Sequence, residues 1–122
     1  MNLISSEDIL RGLESFRAIA KQDFLAAQLT ENPDFWAKQA TARRNTYDKL
    51  ISVVGTEGVE SAILLARQWY QQLPILHDRP QMSNPEERGA KQALEIFFRA
   101  CGVEKKEVRD ISQITTKLGI SN

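Results

Sequence analysis

The chain has 122 residues, 42% hydrophobic and 26% charged, close to the average for globular proteins, so intrinsic disorder is not indicated. Sixteen Lys and Arg balance sixteen Asp and Glu, which removes the long-range attraction to nucleic acid or anionic membrane that a basic excess would create. A single cysteine, Cys101, excludes an internal disulfide, and one cysteine with one histidine cannot complete a structural zinc site.

A chain of this length suits one helical domain over residues 1–122, with a core that needs no covalent staple. Met1 is followed by Ser5, Ser6, Glu7 and Asp8, with neither a basic nor a long apolar run, so no secretory signal is expected and the expected location is cytoplasmic. Ser5 and Asp8 have the spacing of a capping box. They precede Ile9, Leu13, Phe16, Ala20, Phe24 and Ala27, whose three- and four-residue steps predict a helix from about Ser6 to about Leu29.

Asn32 before Pro33 starts a second helix, because Asn can cap free amides and a first-turn proline forfeits no hydrogen bond. Its apolar seam reads Trp36, Ala40, Tyr47, Leu50 or Ile51, and Val54, with a stop expected at Gly55. Arg43 and Arg44 interrupt the seam, so at least one guanidinium is expected near the apolar face.

Thr56, with Glu57 just inside, opens a third helix from about Thr56 to Leu73, and Pro74 ends it. Val59, Ala62, Ile63, Leu64, Leu65, Ala66, Trp69, Tyr70 and Leu73 cover more than half of its circumference. Such a helix must be surrounded, which predicts a central place for it. It falls short of the roughly 20 apolar residues needed to cross a bilayer, so no membrane partner is expected.

Residues 75–83 show neither period and read as a loop carrying His77, Asp78, Arg79 and Pro80. Asn84, Pro85 and Glu87 repeat the start signal for a fourth helix, which carries Ala90, Ala93, Leu94, Ile96, Phe97, Phe98, Ala100 and Cys101 and ends at Gly102. Val108, Ile111, Thr115 and Leu118 predict a fifth, from about Glu104 to Leu118 with Gly119 as its cap. No segment alternates as a half-buried strand does. The expected fold is therefore all-α, a single-domain bundle of about five helices with helix 3 central and antiparallel neighbours.

No glycine-rich phosphate loop, nucleophile elbow or paired-histidine metalloprotease motif occurs, and the carboxylates stand singly or at helix starts, where capping explains them. Cys101 falls at a helix C-terminus, whose dipole disfavours the reactive thiolate. No catalytic residue, cofactor or metal ligand is therefore named. Helices 3 and 4 carry more large apolar side chains than five short helices comfortably cover. The expected function is thus protein interaction or oligomerisation without catalysis, with a protein partner or a second copy, a homodimer being the commonest solution.

Arg43 and Arg44, with Trp36 and Tyr47 nearby in sequence, would suit an anion or an acidic partner; the plainer reading is one exposed arginine and one whose stem packs over the aromatics. His77, Asp78 and Arg79 form a second candidate group, in which His77 would be the pH-sensitive member; the plainer reading there is a solvated connection. A small-ligand or enzymatic bundle with its site at this loop is one alternative function.

A further alternative rests on Phe97, Phe98, Gly102, Val103 and Val108, whose spacing resembles the helix-turn-helix of many bacterial repressors over about twenty residues. The resemblance implies a DNA-reading fifth helix offering Lys105, Lys106, Arg109 and Gln113 to phosphates and base edges. Phe98 departs from the motif, which takes a small residue there, and Glu104, Glu107 and Asp110 would repel DNA. Nucleic acid is accordingly the less favoured partner.

Overall fold

The computed structural model describes residues 5–74 and 84–103. These form four α-helices, α1 (Ser6–Ala26), α2 (Pro33–Glu57), α3 (Val59–Gln72) and α4 (Pro85–Ala100), with a 3-10 turn at Ala27–Leu29 continuing α1 and no strand among the described residues. The all-helical class agrees with the sequence. The anticipated fifth helix and its Gly119 cap lie outside the described residues.

The start signals act as their chemistry requires. The Ser5 hydroxyl accepts from the Asp8 amide at 3.2 Å, Asn32 Oδ1 accepts from Phe35 at 3.3 Å, and Asn84 Oδ1 accepts from Glu86 and Glu87 at 2.9 and 3.0 Å. At the end of α4, Gly102 takes φ 77°, the Val103 amide donates to Phe98 at 2.8 Å, and the helix closes in a glycine-dependent wrap.

The junction of α2 and α3 differs from the expectation. Gly55 stays inside α2, and the chain turns instead at Gly58, whose φ of 94° only glycine adopts readily. The Thr56 hydroxyl donates back to the Ser52 carbonyl at 2.8 Å, so it belongs to the last turn of α2 and does not cap α3.

α2 organises the bundle. Arg17 of α1 pairs with Asp48 at 2.9 Å and Arg43 pairs with Asp23 at 2.5 Å, which sets α1 and α2 antiparallel. On its other side α4 approaches so closely that a Cβ at Gly89 would collide with the Gln39 carbonyl oxygen and stand 3.0 Å from the Ala42 Cβ. Gln39 also donates a short hydrogen bond to Gln92 across this contact. α3 folds back from Gly58, bringing Trp69 under Lys49, with the ammonium 5.9 Å from the ring centroid. The core joins Ile9, Leu13 and Ala20 to Tyr47, Leu50 and Val54, with Ala62 and Ala66 from α3 and Ala93, Leu94, Phe97 and Phe98 from α4.

The central place assigned to helix 3 is therefore corrected: α2 holds it. Only Ala62 and Ala66 of α3 are fully buried, and Leu64 is 60% exposed. Apolar content alone does not place a helix. α2 is central because it has two buried stripes, and the second, Phe35, Gln39, Arg43, Thr46 and Leu50 at four- and three-residue steps, has three polar members.

Candidate functional site

Arg43 sits on that second stripe, 7% exposed. Its guanidinium is paired with Asp23, and its Nε is buried without an acceptor among the described residues. Tyr47, one helical turn on, is buried as well, and desolvation pushes its phenol up to about 12, with Arg43 opposing the rise and Asp23 adding to it. Arg43 thus ties α1 to α2; its charge is already matched and inward. Arg44 is exposed beside a narrow groove between α1 and α2. Trp36 is displaced from the seam assigned to it: Phe35 is the buried aromatic, and Trp36 lies 37% exposed, edge-on to Phe35 at 4.9 Å. Arg43, Arg44 and Trp36 therefore do not converge on one site.

His77, Asp78 and Arg79, and the candidate DNA-reading residues Lys105, Lys106, Arg109 and Gln113, lie outside the described residues. Phe98 is buried and meets the Tyr70 ring edge-on at 5.8 Å, so it is a core residue of α4. Cys101 caps α4, and burial pushes its thiol up to about 11, which removes the nucleophilic thiolate at neutral pH. Among the described residues no group of three or more His, Cys, Asp or Glu side chains could hold a metal, and no helix is long and apolar enough to cross a membrane.

What the fold does bring together is apolar surface at the second half of α1 and the turn that continues it. Ala20 and Ala27 are buried against the bundle, yet Ile19, Leu25 and Leu29 are 50%, 71% and 89% exposed. At 100° per residue, Ala18, Gln22 and Leu25 fall on the side opposite Ala20, flanked by Ile19 and Ala26, and the 3-10 turn carries Leu29 to about the same side. α1 is thus apolar on two opposite faces, of which the other described residues cover one.

Phe24, at the edge of the covered face and still 45% exposed, leads into a groove on α2. The wider part, about 390 Å³, has Ala37, Thr41, Ala42 and Asn45 on its floor, Phe24 on the α1 side and Ala90 on the α4 side. A narrower extension of about 190 Å³ continues around Phe24 to Lys21, Leu25 and Arg44.

Sequence reasoning counted Phe24 as core and passed over Ile19, Leu25, Leu29 and Gly89. The signal for the leucines was available, since Leu25 and Leu29 lie off the seam that runs through Ile9, Leu13, Ala20 and Ala27. Nothing local marks Gly89; its role exists only once α4 crosses α2.

No protein-family model, curated protein or solved structure matches the chain. Its function is accordingly read from this surface.

Proposed function

We propose that this chain is a protein-interaction module without catalytic activity, and that its partner is a second copy docked on the outer face of α1. One observation carries the reading: the second half of α1 exposes Ile19, Leu25 and Leu29 on the side turned away from the bundle. Large apolar side chains gathered on one exposed helix face are a common mark of a docking surface, because covering them removes apolar area from water.

Self-complementarity supports a second copy as the cover. Ala18, Gln22, Leu25 and Leu29 follow the four-three-four spacing of a coiled-coil seam, and none is charged. An antiparallel copy places Ala18 against Leu29 and Gln22 against Leu25, with Ile19 beside Ala26, so a two-fold contact forms without opposing like charges. The balanced net charge supports a protein over a nucleic acid as the partner, and the raised Cys101 thiol supports the absence of thiol catalysis.

Sedimentation equilibrium of the full chain tests this. The wild type is expected to pass from monomer to dimer over the micromolar range, and Ala18→Glu with Leu29→Glu, both at exposed positions, to remain monomeric and folded. A wild-type monomer at every concentration, or a dimer indifferent to both substitutions, would overturn the reading.

A further inference from the structure

The wide part of the groove on α2 shares no lining residue with the outer face of α1, which meets only the narrow extension, at Leu25, and the chemistry of the groove points to a different occupant. Its floor consists of short side chains, Ala37, Thr41, Ala42 and Asn45, between the walls supplied by Phe24 and Ala90. From Ala37 to Lys49 it extends about 18 Å along α2, the length of roughly three helical turns. An open trough of this shape accepts the ridge of another helix; it does not enclose a small molecule.

The charge around it is one-sided. Lys38 and Lys49 border the wide part, and Lys21 and Arg44 border the extension, against a single lining carboxylate among the described residues, Glu86. Asp34 pairs with Lys38 at 3.2 Å, an exposed pair that matches part of this lysine's charge and that an incoming carboxylate can displace, and Asp48 pairs with Arg17 at 2.9 Å, so the cationic excess rests chiefly on Lys21, Arg44 and Lys49. Lys49 stands 5.9 Å from the Trp69 ring centroid, a contact that orders its ammonium without neutralising its charge.

We propose that the groove binds an acidic amphipathic helix of another protein. Leucine-sized side chains at three- and four-residue spacing enter over Thr41 and Ala42 and against Phe24, while glutamates or aspartates on the flanks meet Lys21, Lys38, Arg44 and Lys49. A nucleic acid backbone would satisfy the cations but leave the alanine floor and Phe24 unmatched.

The probe is a fluorescein-labelled peptide with leucines at helical spacing and glutamates elsewhere, compared by anisotropy with a counterpart in which lysine replaces glutamate. The acidic peptide is expected to bind, more weakly as salt rises, and the lysine peptide not to bind. Thr41→Trp, which fills the trough, and Lys38→Glu with Lys49→Glu, which reverses its border, should each weaken binding by about tenfold or more. The two lysines are exposed, so that variant keeps the test intact should Thr41→Trp fail to fold. Ala18→Glu with Leu29→Glu should bind as wild type, which separates this surface from self-association through α1. The proposal is overturned by absence of binding to the acidic peptide, by equal binding of the lysine peptide, by indifference to the Lys38 and Lys49 reversal, or by a DNA duplex displacing the peptide, which would assign the groove to nucleic acid.

Discussion

A methyl group added at Gly89 would meet the Gln39 carbonyl oxygen and the Ala42 side chain, whereas nothing lies within 4 Å of one added at Gly55. Both glycines are helical, so alanine improves intrinsic propensity by about 0.5–1 kcal/mol at either place. At Gly55 that gain stands alone, and Gly55→Ala should raise the urea midpoint. At Gly89 the obstacle is backbone, which cannot rotate away, and overpacking of about 1–3 kcal/mol wins, so Gly89→Ala should lower the midpoint at unchanged slope. The Asp23–Arg43 pair gives a second residue-scale test. Asp23→Ala strands a buried guanidinium and should cost about 1–3 kcal/mol, the half-exposed position of Asp23 keeping it below the cost of a fully buried pair. Adding Arg43→Met should recover most of that loss; a double variant as unstable as Asp23→Ala alone would contradict the pairing. The interruption of the α2 seam by arginine was legible in the sequence. The partner was not, because Asp23 lies on another helix.

Helix starts were the most legible elements, since a capping side chain and the amide it accepts from are only two or three residues apart. Ser5, Asn32 and Asn84 each cap as the spacing implies. Helix ends were less legible: glycines at 55 and 58 compete, and tertiary contacts decide between them. Of these two only Gly58 has positive φ, so Gly58→Ala should cost about 1–3 kcal/mol and loosen the α2–α3 corner, read as faster amide exchange at Val59 to Ala62. An equally stable Gly58→Ala variant would show that the turn does not depend on glycine. The order of the elements around the core was legible only in part. Ile63, Leu64, Leu65 and Trp69 made α3 look central, but burial follows which helix has neighbours on two sides, and the polar members of the second α2 stripe, Gln39, Arg43 and Thr46, concealed that helix from a hydrophobicity scan.

For the molecule as a whole, the two raised pKa values among the described residues lower stability at alkaline pH. Folding holds the Cys101 thiol at about 11 against an ordinary 9.0, and the Tyr47 phenol at about 12 against 10.0. Below about pH 9 both groups stay protonated whether the chain is folded or not, and their contribution to stability is constant. Above that pH the unfolded chain releases protons that the folded chain retains, so stability falls between about 9 and 11 through Cys101 and between about 10 and 12 through Tyr47. Thermal melts across this range should show the decline, and Cys101→Ala should move its onset up to about pH 10.

The interaction surface was half legible at this scale. An apolar excess was expected on helices 3 and 4; α3 does expose Leu64, but the larger exposed set is on α1, because the covered and uncovered faces of a helix cannot be told apart until its neighbours are placed. The central claim, that the outer face of α1 meets a second copy, is tested most directly by diluting isotopically labelled chain from near-millimolar to low micromolar concentration and following its amide resonances. The account predicts concentration-dependent shifts concentrated at Ala18, Ile19, Gln22, Leu25, Ala26 and Leu29, with the amides around Ala93, Leu94 and Phe97 unmoved. Shifts centred on α3 or α4, or a spectrum unchanged by dilution, would contradict it.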